Sequence, residues 1–149
     1  MERVSVVPVT SAHRPRWEIL YAGYAAFYRV EQTPEMRETV WNWLMDPARE
    51  VWGLVALDGA ADPIGLTHFR TFARPLSATT GLFLDDLFVD PGQRGGGIAD
   101  ALIGAVADRG REMGCSVVRW ITAENNYRAR GVYDRLATRT PWVTYDIKL

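Results

Sequence analysis

The spacing of hydrophobic positions changes several times along the chain, and each change marks an element. Residues 4–9 are apolar and rich in β-branched side chains, which predicts a first strand. Trp17, Leu20, Tyr21, Tyr24, Phe27 and Tyr28 then recur at helical spacing and give a helix with an aromatic stripe. Thr33-Pro34 reads as an N-cap followed by proline at the first helical position. Met36, Val40, Trp43 and Leu44 carry that second helix to a stop near Asp46-Pro47. Residues 51–57 read as a strand, Asp58-Gly59 as a turn and residues 64–72 as the return strand. After a loop at 73–80, residues 82–89 form a strand that is apolar on both faces and is broken by Asp90-Pro91-Gly92. A glycine run leads into a helix over 98–113, which Gly114 terminates. Residues 117–122 predict a strand, 126–137 a helix and 142–147 a last strand.

The order β-α-α-β-β-β-α-β-α-β implies antiparallel hairpins in the middle and at least one parallel pairing later. The expected fold is α/β (α+β): a mixed, mostly antiparallel central sheet of six to seven strands with helices on both faces. At 149 residues, with 48% hydrophobic and 23% charged residues, the chain has the size and composition of a single domain spanning 1–149. Its 17 basic and 18 acidic residues leave a net charge of -1, which argues against a nucleic acid or an anionic membrane as partner. The single cysteine, Cys115, reads as a packing residue, and it cannot form an internal disulfide. No signal-peptide core or long apolar run is evident, so a cytoplasmic location is expected. Two histidines and one cysteine, widely spaced, do not make a zinc site, and no metal is expected.

Gln93-Arg94-Gly95-Gly96-Gly97-Ile98-Ala99 lies between a strand and a helix. A helix start presents unpaired N–H groups and partial positive charge, and glycines let an anion approach them closely. A pyrophosphate is the natural guest. The ATP-binding loop is excluded, because it needs a lysine and Lys148 is the only one in the chain. The dinucleotide fingerprint fails at Asp100, where it needs a third Gly or Ala. Arg94 to Ala99 instead resembles the R-x-x-G-x-[GA] signature of the GNAT acetyltransferases, and the element order is similar over nearly the whole chain. The resemblance implies a GNAT fold and implies that residues 93–99 bind the pyrophosphate of acetyl-CoA.

Asp85 and Asp86 interrupt the apolar strand 82–89. A period of two sends them to opposite faces, both apolar, unless a bulge re-aims one. A buried carboxylate must be paired or solvated. One chemical use is clear: an alkylamine with a pKa near ~10 arrives protonated, and a carboxylate can attract it and take its proton. The stretch Leu84-Asp85-Asp86-Leu87-Phe88-Val89 resembles L-E-D-[FL]-[FY]-V of the diamine acetyltransferase branch, with an acid one methylene shorter at Asp85. This resemblance implies that Asp85 serves as base or ammonium anchor with Asp86 beside it. It also implies that the backbone of Leu87, Phe88 and Val89 pairs with the pantetheine amides.

Asn126 to Tyr133 resembles the family pattern N-x-x-A-x-x-[FLV]-Y. Asn126 also suits a helix N-cap; by resemblance it lies close to the cofactor. Tyr133 packs as a helix aromatic or acts as general acid, and the resemblance favours the acid: a phenol stays protonated at neutral pH and can protonate the leaving thiolate. The arginine-rich segment 128–139 is a solvated helix face that offers one or two cations to the CoA 3′-phosphate. His68 and Arg70 share a strand face, with a solvent-facing or structural role expected ahead of one in the acceptor pocket; Tyr21, Tyr24 and Tyr28 are weaker acceptor-side candidates. The implied activity is transfer of an acetyl group from acetyl-CoA to a primary amine of a small molecule, polyamine-like or amino-acid-like, by a homodimer. The rival readings are a protein lysine or N-terminal acetyltransferase and a non-catalytic acyl-CoA sensor.

Overall fold

The computed structural model describes residues 4–149. Its elements run β1 (Ser5–Pro8), α1 (Arg14–Phe27), α2 (Pro34–Met45), β2 (Val51–Leu57), β3 (Pro63–Arg74), β4 (Thr79–Val89), α3 (Ile98–Glu112), β5 (Val118–Arg119) and α4 (Tyr127–Leu136). The strands form one sheet in the order β1-β2-β3-β4-β5, antiparallel except for the parallel β4–β5 pair. The α/β class, the mixed sheet and the helices on both sides follow the hydrophobic pattern.

Three expectations are corrected. The sheet has five strands among the described residues, because residues 138–149 form neither helix nor strand. The strand expected over 117–122 is only two residues long. The loop expected over 73–80 shrinks to a short 3-10 turn at Pro75–Ser77, since β3 and β4 extend toward each other.

Local chemistry accounts for the helix starts. In α2 the Thr33 hydroxyl accepts a hydrogen bond from the Met36 amide at 3.2 Å, and Pro34 occupies a position that needs no N–H. Two packed layers result. On one face Trp17, Leu20 and Tyr21 of α1 and Trp41 of α2 pack with Val55, Leu66 and Phe88 of the sheet. On the other face Ile103 and Val106 of α3 pack against Leu54, Phe69, Leu82 and Leu84. Tyr133 of α4, Trp120 and the half-buried Cys115 border this second cluster.

β4 and β5 pair only at Leu82–Val118 and Phe83–Arg119, and beyond Phe83 they part. The edge of β4 from Leu84 onward is therefore open on the side where α3 and α4 begin. That divergence makes the site.

Candidate active site

A cavity of about 380 Å³ opens at the divergence. It brings together the β4 residues Leu87, Phe88 and Val89, the loop and helix-start residues Arg94, Gly95, Gly97, Ile98 and Ala99, and Asn126 and Tyr133 from the α4 region. Of the other residues expected at the cofactor, Gln93 and Gly96 belong to the same loop but do not line the cavity. Phe27 and Tyr28, at the end of α1, close it from above the sheet.

The glycine loop has the shape an anion needs. Gly95 and Gly97 hold φ of 88° and 76°, and a Cβ on either would project into empty space. Gly97 stands at the N-cap of α3 with no side chain satisfying the first turn, so the leading amides stay free to bind a ligand. Arg94, Arg128 and Arg135 add three cations to the wall. Arg94 is held over the rings of Phe27 and Phe88 at 5.1 and 5.6 Å, and it donates from Nε to the Val89 carbonyl at 3.4 Å. Arg135 also reaches Asp100 at 3.4 Å. Unpaired amides, open glycines and several guanidinium groups fit a diphosphate.

Asn126 stands at the N-cap of α4 but does not cap with its side chain. Its amide nitrogen donates instead to the Tyr28 hydroxyl at 3.4 Å and to Thr122 Oγ1 at 3.5 Å, which turns it toward the cavity. Tyr133 is half-buried, edge-on to Trp120 with ring centroids 5.4 Å apart. Burial, helped by the nearby Tyr28, pushes its phenol up to about 12. It therefore remains a proton donor throughout the neutral range.

The two carboxylates lie on one face, not two. The β3–β4 register pairs His68 with Asp86 and Phe69 with Leu84, so Asp85 is an extra residue in a β-bulge. The alternation that would have separated the pair is broken there. Asp85 accepts from Arg70 Nε at 3.0 and 3.1 Å, Asp86 accepts from His68 Nδ1 at 2.8 Å, and His68 and Arg70 share a face of β3. Neither aspartate lines the cavity itself. The step from them to it runs through α1: the Tyr21 hydroxyl donates to Asp86 at 3.0 Å, and Tyr24 packs 6.2 Å from Tyr21 and 4.9 Å from Tyr28 on the cavity wall.

The hydrogen bonds fix the state of His68, which is 2% exposed. Trp17 Nε1 can only donate, and it does so to His68 Nε2 at 3.0 Å. The proton of a neutral imidazole then sits on Nδ1 and is donated to Asp86. Burial alone would raise Asp86, but the donors from His68, Tyr21 and Tyr24 outweigh it and hold the carboxyl below its ordinary value. Asp85 moves the other way: burial raises it, Arg70 opposes this, and the charge of Asp86 adds to it. The structural role expected for His68 is thus observed. The sequence placed Trp17 in the aromatic stripe of the first helix but not its role as donor to His68, because that partner lies 51 residues away and only the fold brings them together.

Comparison with known proteins identifies the family and the fold. Residues 17–137 match the model of a family described as Acetyltransferase (GNAT) family. The chain is 28% identical over 145 residues to the D-amino-acid N-acetyltransferase HPA3 of Saccharomyces cerevisiae, an alignment covering 97% of this chain and 90% of that protein. Among solved structures, a ribosomal-protein-alanine N-acetyltransferase from Brucella melitensis biovar Abortus superimposes with a TM-score of 0.83 at 22% identity, covering 99% of this chain and 100% of the other. An aminoglycoside N-acetyltransferase in complex with CoA superimposes with a TM-score of 0.85 at 19% identity, covering 99% and 96%.

Proposed function

Because this chain belongs to the GNAT acetyltransferase family, whose members use acetyl-CoA, we propose that it acetylates the amino group of a small, amino-acid-like substrate in the cytoplasm. The observation that carries the reading is the single cavity joining the anion-binding start of α3 to Tyr133. Acetyl-CoA supplies the activated acyl group: the amine nitrogen bonds to the carbonyl carbon, and the carbon–sulfur bond breaks.

The chain's own groups divide the remaining work. The free amides at Gly97 and beyond, with Arg94, Arg128 and Arg135, hold the phosphates. The open edge of β4 at Leu87, Phe88 and Val89 offers backbone groups to the pantetheine amides, as an added strand would. Asp86, kept ionised by His68 and Tyr21, attracts the substrate ammonium. Asp85, with the higher proton affinity of the two, is the better acceptor for the proton that must leave before attack. Tyr133 returns a proton to the departing sulfur.

An amino acid is favoured over a polyamine by Arg70. It shares the face of the aspartates, is exposed over 45% of its side chain and engages Asp85 through Nε alone. The rest of its fork suits a substrate carboxylate while Asp86 holds the ammonium. The relative named for D-amino acids points the same way.

The test is a panel of amines assayed for thiol release from acetyl-CoA. Amino acids of both hands, polyamines and an aminoglycoside are compared in wild type and in Arg70→Ala. Turnover of amino acids, with KM raised at least ~10-fold in the variant for amino acids but not for simple amines, supports the reading. CoA binding without turnover of any amine would defeat it.

A further inference from the structure

We infer that the sheet face beside the aspartates is a carboxylate-binding extension of the acceptor site, fitted to short peptides whose amino end lies at Asp86 and whose acidic group lies three or four residues on. The inference rests on the reading of Asp86 as the ammonium anchor.

The face begins where the helices stop. His68 is buried under α1, but two residues on Arg70 is exposed, and Phe72 and Arg74 continue the same face of β3 half-buried. Arg70 pairs with Phe83 of β4, and Phe83 pairs with Arg119 of β5, so Arg119 stands on this face too. The side chains interlock. Arg70 lies 4.7 Å over the Phe83 ring, Phe83 meets Phe72 edge-on at 6.2 Å, and Arg119 lies 5.3 Å over Phe72. Phe72 reaches this place only because its cross-strand partner is a glycine: a Cβ on Gly81 would stand 2.7 Å from the ring. Two rings thus form a floor that carries two guanidinium groups.

A cavity of about 350 Å³ opens over the outer part of this floor, with Arg74 and Arg119 in its wall and no acidic residue. Arg74 donates to Ser116 Oγ at 2.6 Å. Among the described residues no ion pair takes up Arg74 or Arg119. A guanidinium stacked on a ring keeps its N–H groups free along its edge, in the fork that matches a carboxylate. Because the rings already carry guanidinium groups, little room is left for a base to stack, and an acidic peptide fits better than a nucleic acid.

Spacing sets the length of the ligand. Asp86 pairs with His68 and Phe83 with Arg70, so Arg119 lies one strand over from Asp86 and two β3 positions back. Its side chain runs further back to reach Phe72, which places the guanidinium roughly 10–15 Å from the Asp86 carboxylate. An extended peptide covers that span in three or four residues at ~3.3–3.6 Å each. A free amino acid is too short to reach it and uses Arg70 alone.

The test titrates two amidated tetrapeptides, Ala-Ala-Ala-Glu and Ala-Ala-Ala-Gln, into the CoA-saturated protein by calorimetry. Both are also assayed, beside free amino acids, for thiol release from acetyl-CoA. The Glu peptide should bind at least ~10-fold more tightly than the Gln peptide and show a kcat/KM higher by a similar factor. In Arg74→Ala/Arg119→Met, where the methionine still covers the Phe72 ring, that preference should vanish while the CoA Kd and the turnover of free amino acids stay as in wild type. Equal binding of the two peptides by wild type would overturn the inference. So would a Glu preference that survives in the double variant, or an oligonucleotide of ~8 nucleotides that binds more tightly than the Glu peptide. Turnover of free amino acids without any peptide preference sinks this inference alone. A Glu preference in binding, with no amine acetylated, sinks the catalytic reading and leaves the carboxylate site standing.

Discussion

Asp85 and Asp86 are adjacent and share a face, yet their surroundings push their proton affinities in opposite directions. Asp86 sits below its ordinary value, so its contribution to stability is present above the unfolded carboxyl's pKa and is lost as pH falls through the folded one. Asp85 sits above its ordinary value, so its favourable contribution exists only at acid pH and disappears as pH rises through the folded value. In urea denaturation at pH 7, Asp86→Asn should therefore be less stable than wild type and Asp85→Asn at least as stable. Near pH ~3 the Asp86→Asn deficit should shrink. Equal effects of the two substitutions at pH 7 would mean that their environments do not differ. Tyr133 makes a separate demand on the kinetics. With its phenol raised to about 12, the pH profile of kcat should show no loss of the acid on the alkaline side up to about pH 11. Tyr133→Phe should lower kcat roughly 100-fold or more while leaving the CoA Kd near wild type. Wild-type turnover in that variant removes the general-acid role.

At the scale of elements, the start of α3 carries the clearest consequence. Gly97 holds a φ of 76° with empty space beyond it, so Gly97→Ala meets no clash and suffers only from its backbone. A left-handed alanine costs about 1–2 kcal/mol, and relaxing it re-aims the amides. Calorimetry should report a CoA Kd weaker by about 10-fold and a Tm lower by a few degrees. Gly104→Ala is the control. It lies exposed in the middle of the same helix with nothing near its Cβ, and it should raise stability by ~0.5–1 kcal/mol without changing the Kd. The contrast explains what could be read from the sequence. Helices α1 to α4 and strands β1 to β4 were legible because each has its own period or its own punctuation, such as Thr33-Pro34 or the glycine run. The cofactor side of the cavity was legible for the same reason, since Arg94 to Ala99 is contiguous. The bulge at Asp85 could be read only as an alternative to plain alternation, because a strand with apolar residues on both faces gives alternation nothing to mark. The Trp17–His68–Asp86 relay was not legible, because three strongly separated positions meet only after α1 has docked on β3. The strand expected over 142–147 does not form, because a period describes one segment and not a partner for it to pair with.

Across the whole molecule, the cavity lies where parts with few ties to one another meet. α3 and its glycine loop pack on the β2–β4 face, α1 packs on the opposite face, and α4 reaches the rest mainly through Tyr133, Trp120 and Arg135. A ligand that touches the α3 start, the edge of β4 and α4 at once ties these layers together, and it binds the unfolded chain hardly at all. Mass action then predicts the stabilisation: about 2.7 kcal/mol at 100 times the Kd. For a chain of this size that raises Tm by about 5–10 °C. Because Arg94, Arg128 and Arg135 supply charge at a solvent-facing wall, the same concentration of CoA should give a smaller shift at 1 M salt than at 0.1 M, where screening reaches about 10 Å. Arg128→Ala/Arg135→Ala should reduce the low-salt shift to near the high-salt one. Hydrogen exchange should show the gain in protection concentrated in α4 and the end of α1, with β2 and β3 unchanged, since those strands are already buried between the layers. A thermal shift indifferent to both salt and the arginine pair would place the phosphates elsewhere. A gain in protection spread evenly over the sheet would mean that the ligand stiffens the core and does not bridge the layers.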